Sequence, residues 1–394
     1  MAIYHPHADR GFTTVEFEQR TAAAQKIMSR LGLGALLLTN EPEVRYFTGF
    51  DTVFWLSPTR PWFVVIPAKG APIAVIPEIG GPSMSQTWLS DIRTWLAPQP
   101  GDDGVSLLAT TLREVMPAGG VLGVPMGHET HIRMPAADFE ALRTRLTNVK
   151  IADGTEVIRS LRMVKSEAEI SKIARICSIA SSAFENLPNL VKIGDSERQA
   201  FTKFKIDLLQ KGADDVPYLV GSSGPNGFSD VINKPSDRLI EKGDLLLLDT
   251  GSIFDGYSCD FDRNFAFGHA SDEAKIAYDL AYRATEAGLT AARPGITTSQ
   301  LWSAMANVLE SGGCSAHQIG RMGHGLGMQV TEWPSLMPED HTLIEAGMVL
   351  TLEPGFAFGD GKMMLHEENI VIREDGAELL SRRAPAELPI ITSR

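Results

Sequence analysis

The chain has 394 residues, of which 43% are hydrophobic, and a formal net charge of −13. That length suffices for two domains with apolar cores, and the negative charge without a lysine or arginine stripe disfavours nucleic acid and anionic membranes as partners. The three cysteines, Cys177, Cys259 and Cys314, are widely spaced and odd in number, which is typical of reduced thiols. Because the N-terminus has no apolar signal region and no segment is long enough to span a membrane, we expect a cytoplasmic protein.

The sequence divides near residue 155 into two segments with different patterns of strands and helices. The first begins with the amphipathic helix VEFEQRTAAAQKIMSRL, which ends at Gly32, and continues into the strand ALLLT. Strand-like runs follow at WFVVIP, PIAVIP and VLGVP, with a helical segment from Ser106 to Val115 before the last of them. Alternating strands and helices predict a mixed α/β domain over residues 1–155.

The second segment, residues 156–394, opens with a long helix in which Ser166 and Glu169 have the spacing of a capping box. Two more helices are indicated at DEAKIAYDLAYRATEAGLTAA and TSQLWSAMANVLESGG, each ended by Gly or Pro. We find no repeat, low-complexity tract or flexible linker, so we expect the two domains to be joined closely.

The most informative segment is LLLLDTGSIFDGYSCDFDRNF. Its four leucines predict a buried strand, and Asp255–Gly256 is a strong signal for a two-residue hairpin turn. With that turn, Asp249 lies opposite Asp262 and diagonal to Asp260, so the three carboxylates share one face, and Cys259 points to the opposite face. Clustered carboxylates at the end of a buried strand are costly unless a cation lies between them. The alternative is a hairpin whose aspartates face water.

Three later segments supply the other groups that a metal cluster needs. GRMGHGLG isolates His324 among glycines, and GMVLTLEPG ends a buried strand at Glu353. MLHEENIVIREDG places Glu367 and Glu368 at the start of another strand. Each segment also has an interpretation without metal, in which the histidine is a turn residue and the glutamate is an exposed residue at the end of a strand. Together with the hairpin they give four carboxylates and one imidazole. The four negative charges balance two divalent cations. The oxygen-rich donor set with one histidine suits Mn, Co, Fe or Zn and does not have the cysteine- and histidine-rich composition of a structural zinc site.

The order and spacing of these motifs resemble the pita-bread superfamily of methionine aminopeptidase, aminopeptidase P, prolidase and creatinase. The resemblance implies an α+β fold, with an N-terminal creatinase-like α/β domain and a C-terminal pita-bread domain whose curved antiparallel sheet holds two divalent metal ions. Carried over residue by residue, it implies that the metal ligands are Asp249, Asp260, His324, Glu353 and Glu367. Glu367 is preferred to Glu368 because its interval to Gly376 matches that of the family. Asp262 takes the place of a Thr or Ser in the family and is expected to neighbour the site.

The chain departs from the peptidases of this superfamily at two positions. Peptidases have a histidine shortly before the first metal strand, where this sequence has Ile232, and another after the Gly-His-Gly loop, where it has Thr331. Those histidines are understood to bind the substrate carbonyl and to stabilise the tetrahedral intermediate, a contribution of several kcal/mol in such sites. Their absence disfavours ordinary Xaa-Pro peptidase activity, although Thr331 can still donate a hydrogen bond.

The resemblance also implies roles for further residues. Glu353 is expected to be both ligand and proton shuttle, beside His324 and Thr331, while Tyr257 and Asp262 are the groups to consider for an elimination. The N-terminal domain of one subunit reaches the partner's active site in creatinase-like relatives, which implies a homodimer. The candidate substrate-binding residues are Trp55, Arg60, Trp333 and Tyr218. His317 and His366 are expected to support the site or to lie at the surface rather than to bind metal.

The sequence therefore predicts a metal-dependent hydrolase that cleaves a C–N bond in a small dipeptide-like or modified amino-acid substrate. Two alternatives use the same metal ligands: a lyase of dimethylsulfoniopropionate type, and an amidine hydrolase acting on ectoine- or creatine-like molecules. A third alternative is a non-catalytic binding module, because some pita-bread proteins have lost their metals. Lost metal sites show substituted ligands, whereas every ligand position here is chemically competent.

Overall fold

The computed structural model describes residues 9–314 and 320–392. These residues form two compact units, one of residues 11–162 and one of Asp9 and Arg10 with the described residues from Met163 onward. The predicted domain boundary after residue 155 lies inside the helix Thr155–Met163, whose residues up to Arg162 belong to the N-terminal unit. Within the described residues, no helix is long and apolar enough to cross a membrane.

The N-terminal unit is a mixed sheet with helices, as the sequence predicts. Its helices are Thr14–Leu31 (α1), Glu41–Thr48 (α2), Gly81–Met84 (α3), Val105–Val115 (α4), Ala136–Arg145 (α5) and Thr155–Met163 (α6). Its strands are Ala35–Leu38 (β1), Phe63–Pro67 (β2), Ile73–Pro77 (β3), Asp91–Trp95 (β4), Val121–Val124 (β5) and Lys150–Asp153 (β6). The strand order is β4-β3-β2-β1-β5-β6, with parallel pairs β3–β4, β1–β5 and β5–β6.

Local sequence accounts for the ends of α1. The Thr13 side chain accepts a hydrogen bond from the amide of Glu16 at the N-terminus, and Gly32 adopts a left-handed conformation (φ 69°) at the C-terminus. The sheet that follows is fully buried along β1, β2 and β3, which explains why their sequences are continuous apolar runs.

The C-terminal unit contains four helices and twelve strands among its described residues. The helices are Glu167–Leu190 (α7), Glu197–Gln210 (α8), Asp272–Ala291 (α9) and Thr298–Ser311 (α10). The first strands are Asp215–Pro225 (β7), Asp244–Phe254 (β8), Tyr257–Ser258 (β9), Phe261–Phe267 (β10), His324–Gly325 (β11) and Glu332–Ser335 (β12). The remaining strands are Val349–Leu352 (β13), Gly355–Phe358 (β14), Lys362–Leu365 (β15), Glu368–Arg373 (β16), Gly376–Leu379 (β17) and Ile390–Ile391 (β18).

These strands form two larger sheets and one hairpin. The first sheet has the order β18-β10-β8-β7, with β9 paired to β8, and the second has the order β12-β11-β13-β16-β17. Strands β14 and β15 pair with each other. All these pairs are antiparallel except β10 with β18. The predicted α+β fold with a largely antiparallel C-terminal sheet is confirmed.

The predicted hairpin forms with the predicted register. Phe254 pairs with Tyr257 across the turn, and Asp249 pairs with Asp262. Asp255 has a positive φ of 48°, which is the left-handed conformation that an Asp-Gly turn uses. The capping box at the start of α7 is also present, with Ser166 and Glu169 in its two roles.

Helices cover both faces of the strands that carry the aspartates. Leu245 and Leu247, on the same face of β8 as Asp249, pack in a core with residues of α9 and α10. On the opposite face, Phe261 contacts Phe184 of α7 with ring centroids 5.5 Å apart. The carboxylates therefore sit where an apolar layer ends, inside the unit rather than in water.

Candidate metal centre

Asp260, His324 and Glu367 form a group that can hold a metal ion. Each offers a ligand atom, and these atoms all lie within 4.8 Å of one another. The His324 Nε2 and Asp260 Oδ2 atoms are 3.3 Å apart. All three side chains are buried, although they come from three separate strand regions of the C-terminal unit.

The main chain fixes the orientation of the His324 ring. Its Nδ1 lies 2.9 Å from the carbonyl oxygen of Gly325, so Nδ1 must carry the proton and donate it. In the neutral ring, Nε2 is then an acceptor that faces the oxygen of Asp260. Two acceptors at this separation are the arrangement expected around a shared cation.

The glycines beside His324 allow three strands to approach one another closely. Gly323 has a φ of 133°, and a Cβ there would lie 2.2 Å from the carbonyl oxygen of Thr351. A Cβ on Gly325 would lie 2.0 Å from the carbonyl oxygen of Trp333. The Gly-His-Gly motif is therefore a packing requirement that brings the imidazole into the second sheet.

Several carboxylate oxygens in the cluster are buried and have no hydrogen-bond partner. They are Asp249 Oδ1, Asp260 Oδ1, Asp262 Oδ2 and Glu367 Oε1. A buried carboxylate oxygen without a partner costs free energy that a bound cation offsets. The oxygen-rich donor set with one imidazole is chemically suited to divalent Mn, Co, Fe or Zn.

The pKa values of the carboxyl groups in the cluster also favour a bound cation. Burial, together with Asp260 and Glu353, raises the pKa of Asp249 well above its ordinary value. Burial and the neighbouring carboxylates likewise raise the pKa of Glu367. Burial also raises the pKa of Glu353 to about 7, against the lowering effects of His324 and Arg321. Carboxyl groups that repel one another in this way are poised to accept positive charge.

Glu353 differs from the other carboxylates because its side chain is only half-buried. It directly follows β13, and its amide donates a 3.0 Å hydrogen bond to the carbonyl of Met322. This bond places Glu353 beside the segment that leads to His324. Glu353 is thus the most exposed of the four predicted ligand carboxylates.

Glu367 and Glu368 have different surroundings. Glu367 faces the other carboxylates, and its amide donates to Asp262 Oδ1 at 3.3 Å. The Glu368 carboxylate instead forms ion pairs with Arg263 (2.9 Å) and Arg383 (3.3 Å). These contacts favour Glu367 over Glu368 as a ligand, as the family interval predicts.

Two polar residues hold the aspartates in place. The Tyr218 hydroxyl donates to Asp249 Oδ2 at 3.1 Å, so the predicted pocket residue directly contacts a predicted ligand. The Asn369 side chain pairs with the main chain of Asp260, accepting from its amide at 2.9 Å and donating to its carbonyl. The Asn369 side chain thereby takes the place of a neighbouring strand at Asp260, which directly precedes the first residue of β10.

The two positions that lack the peptidase histidines are both exposed. Ile232 is 73% exposed, and Thr331 is also exposed. Thr331 precedes Glu332, whose buried carboxylate pairs with Lys165 at 3.4 Å. Thr331, which the resemblance places where the peptidases have a histidine, is therefore an exposed residue next to a buried ion pair.

Tyr257 and Trp333 are both buried. The Tyr257 hydroxyl donates to Glu169 of α7 at 2.9 Å, and the residue lies an odd number of positions from Asp260 and Asp262. Strand alternation therefore directs Tyr257 to the face opposite the carboxylates, which weakens its predicted role in an elimination. Trp333 lies in β12 with 6% of its surface exposed, so it is part of the wall of the second sheet.

Trp55 and Arg60 belong to the N-terminal unit. Trp55 is buried under the guanidinium of Arg133, 5.2 Å from the ring centroid, and Arg60 lies over the ring of Phe54. Both therefore have local packing partners there, and their predicted part in a neighbouring subunit's pocket stays a prediction.

The remaining predicted residues are two histidines and the cysteines, and none of those that the structure describes is a predicted ligand. His366 is buried, and burial, with the charges of Arg383 and Arg263, lowers its pKa well below the ordinary value. Its ring lies against Thr285 and Arg383 behind β16, which agrees with a supporting role. Cys177 and Cys259 are buried free thiols, and His317 lies outside the described residues.

Sequence reasoning missed three residues of the site. Arg263 donates to the carbonyls of Asp262 and Glu367 and pairs with Glu368. Asn369 pairs with the main chain of Asp260, and the charge of Arg321 lowers the pKa of Asp260 and of Glu353. Arg263 and Asn369 could have been identified as polar residues within the buried strands FDRNFAF and ENIVIR, because a buried polar side chain needs a partner. Arg321 has no such signal because it lies in a glycine-rich loop.

Comparison with known proteins agrees with this geometry. Metallopeptidase family M24 matches residues 171–374, and the Creatinase/Prolidase N-terminal domain matches residues 20–164. A probable dipeptidase PepE of Mycobacterium bovis is 27% identical over 387 residues, 97% of this chain and 98% of that protein.

Solved structures show the same fold over nearly the whole chain. The dipeptidase PepE from Mycobacterium ulcerans is 29% identical with a TM-score of 0.84, and the match covers 97% of this chain and 100% of that one. A prolidase from Thermococcus sibiricus is 25% identical with a TM-score of 0.85 and the same coverage. The chain therefore belongs to metallopeptidase family M24, with an N-terminal creatinase-like α/β domain and a C-terminal pita-bread domain.

Proposed function

We propose that this protein is a two-metal hydrolase that cleaves a C–N bond in a small dipeptide-like or modified amino-acid substrate. The observation that carries the proposal is the cluster of four carboxylates, three of them buried with an unpartnered oxygen, of which Asp260 and Glu367 lie next to one oriented imidazole. The proposed ligands are Asp249, Asp260, His324, Glu353 and Glu367. When bound, two divalent ions, of Mn, Co, Fe or Zn, would polarise a carbonyl and lower the pKa of water.

The residues of the chain have separate proposed tasks around these ions. Glu353, which is half-buried, takes a proton from the attacking water and delivers it to the leaving nitrogen. Tyr218 keeps Asp249 in one orientation through its 3.1 Å hydrogen bond. Thr331, exposed beside the site loop, donates a hydrogen bond to the substrate carbonyl.

The names of similar proteins support a dipeptide-like substrate, because they include a probable dipeptidase and Xaa-Pro dipeptidases. We propose a cytoplasmic location from the composition of the chain. The resemblance to creatinase-like proteins further suggests a homodimer in which Trp55 and Arg60 of one subunit approach the substrate in the other. Both side chains are aromatic or guanidinium groups of the kind that bind small polar molecules.

A second candidate is favoured by the exposed Ile232 and Thr331. Without imidazoles at these two positions, a substrate other than an Xaa-Pro peptide is the better match, such as an amidine of creatine or ectoine type or dimethylsulfoniopropionate. Both reactions would use the same five ligands. They differ from peptide hydrolysis in the active-site group that reaches the reacting carbon of the substrate.

Steady-state comparison of these substrates on metal-loaded enzyme tests both candidates. We expect Xaa-Pro dipeptides to be poor substrates, since loss of one donor to the developing oxyanion costs about 10² to 10³ in turnover. A kcat/KM on an Xaa-Pro substrate within the usual range of about 10⁴ to 10⁸ M⁻¹s⁻¹ would instead place the protein with the prolidases.

Asp260→Asn is the matched variant for this comparison, because it removes one anionic ligand and keeps the shape of the side chain. Metal occupancy and turnover should fall together. Full metal content with full turnover would contradict the assignment of Asp260. If the purified protein holds no transition metal and gains no activity with Mn or Co, the non-catalytic alternative is favoured.

A further inference from the structure

Asp262 is a buried carboxylate beside the proposed ligands that is not itself one of the five. Its side chain is 1% exposed, and its Oδ2 has no hydrogen-bond partner among the residues that the structure describes. Its Oδ1 accepts a hydrogen bond of 3.3 Å from the amide of Glu367. A buried carboxylate oxygen without a partner is costly unless a cation lies beside it.

The arginine that follows Asp262 in the sequence does not form an ion pair with it. Successive side chains of a strand point to opposite faces, so Arg263 leaves β10 on the side of α7, where its guanidinium lies 5.8 Å from the ring centroid of Phe184. The guanidinium donates to the carbonyls of Asp262 and Glu367 and pairs with the Glu368 carboxylate at 2.9 Å. The ion pair of Arg263 is therefore with Glu368, and the Asp262 carboxylate needs another cation.

The register of the hairpin directs the Asp262 side chain into the ligand cluster. The Cys259 amide donates to the Ser252 carbonyl at 3.0 Å, and hydrogen-bonded pairs alternate with non-hydrogen-bonded pairs along an antiparallel ladder. Counted from that pair, the register partners Asp262 and Asp249 form a non-hydrogen-bonded pair. Side chains of such a pair are the closest across two strands, so these two carboxylates are neighbours, with Asp260 two positions away on the same face.

A contact with the second sheet holds Asp262 in the same place. The hydrogen bond from the Glu367 amide to Oδ1 ties the carboxylate to the proposed ligand that directly precedes β16. One oxygen thus orients the side chain, and the other has no partner in the described part of the chain. Divalent Mn accepts carboxylate oxygens of this kind as ligands.

We propose that Asp262 is a further ligand of the metal centre and binds an ion through Oδ2, so that the centre of this chain has five carboxylates rather than four. This inference rests on the proposed two-metal function and adds a ligand that the resemblance does not assign, since Asp262 takes the place of a Thr or Ser. A hydroxyl there is neutral, whereas the fifth carboxylate adds a negative charge that strengthens the attraction for divalent ions.

Asp262→Asn tests the ligand role, because it removes the charge and keeps both the shape and an oxygen for the Glu367 amide. Affinity for Mn²⁺ is measured by chelator competition, and Tm is measured in excess chelator, where no ion contributes. We expect Mn²⁺ affinity to fall at least about 10-fold, because changing even a group that only supports a ligand typically costs about 10- to 100-fold. Tm in chelator should stay the same or rise, since one of several neighbouring like charges is removed.

Asp244→Asn is the matched control, a second buried aspartate at the start of β8. Asp244 is 1% exposed and pairs with Arg238 at 2.6 Å, away from the predicted ligands. Because this variant breaks an ion pair, it should lower Tm in chelator and leave Mn²⁺ affinity unchanged. For Asp262→Asn, unchanged affinity would overturn the inference, as would a loss of affinity that comes with a lower Tm in chelator.

A crystal structure of the wild-type chain grown with Mn²⁺ gives a second measurement that needs no variant. An Asp262 oxygen bonded to an ion supports the inference, and a carboxylate that contacts only the Glu367 amide overturns it. Asp260→Asn separates this inference from the proposed function. If Asp260→Asn lowers Mn²⁺ affinity and Asp262→Asn does not, the five-ligand centre stands and the inference fails alone; if neither variant lowers it, both fail.

Discussion

Glutamine substitutions at Glu367 and Glu368 should have opposite effects, although the two residues are adjacent. The Glu368 carboxylate is fully buried and accepts hydrogen bonds from Arg263, Arg383, Ser381 and the amide of Ala384. Glu368→Gln keeps the shape but removes the charge between two guanidinium groups. Breaking a buried ion pair from one side costs about 3 to 5 kcal/mol.

The structure places the expected cost near the lower end of that range. The Arg383 side chain is 17% exposed and keeps some contact with water, and Arg263 keeps the carbonyls of Asp262 and Glu367 as acceptors. A loss of about 3 kcal/mol in a domain of this size lowers Tm by about 6 to 12 °C. Because Glu368 makes none of the predicted ligand contacts, metal content should change little.

Glu367→Gln should behave in the reverse way. In metal-free protein it removes a negative charge from among Asp249, Asp260 and Glu353, so Tm should stay the same or rise. With metal present the variant should lose occupancy, and with it the extra stability that a bound ion confers on wild type.

Thermal unfolding with and without chelator, together with metal analysis, measures both effects. The exposed Glu374→Gln, on the same stretch of chain, is the matched control and should leave Tm and metal content unchanged. If Glu368→Gln loses metal at normal Tm while Glu367→Gln keeps it, Glu368 is the ligand and the predicted register is wrong by one residue.

Two further variants test supports of the site and of the fold. Asn369→Leu removes both hydrogen bonds to the Asp260 main chain, and we expect metal affinity to fall about 10- to 100-fold in a chelator competition titration; unchanged affinity would show that Asp260 needs no such support. Burial would raise the pKa of Glu197, but hydrogen bonds from Ser236 and Ser223 outweigh it and hold the pKa below its ordinary value. The carboxylate therefore stabilises the fold above the unfolded-state pKa of about 4.3 and loses that contribution as pH falls through the lower folded-state pKa. Glu197→Gln should cost about 1 to 3 kcal/mol at pH 7 in urea unfolding of chelator-treated protein and clearly less below pH 4; a cost that does not vary with pH would contradict this.

The hairpin shows what local sequence can predict. The Asp-Gly turn fixes which residues face each other, so the pairing of Asp249 with Asp262 followed from counting along the chain. The burial of these aspartates followed from the leucines before them, because a strand that is apolar on both faces lies inside a domain.

The supports of the ligands could not be predicted in the same way. Asn369 pairs with Asp260 across 109 positions of sequence, and no periodicity reports a contact between strands of different sheets. Tyr257 shows the converse error, since its nearness in sequence to Asp260 suggested a shared site. The side-chain direction in the folded strand takes its hydroxyl to Glu169 instead.

The origin of the predicted ligands on two sheets has a consequence for the order of folding. Asp249 and Asp260 come from the first sheet or its hairpin, whereas His324, Glu353 and Glu367 come from the second sheet or its ends. Neither sheet alone contains all five, so the complete centre exists only after the two sheets have docked. High-affinity metal uptake therefore follows the docking of the two sheets, and a rise in affinity during refolding would time that docking event.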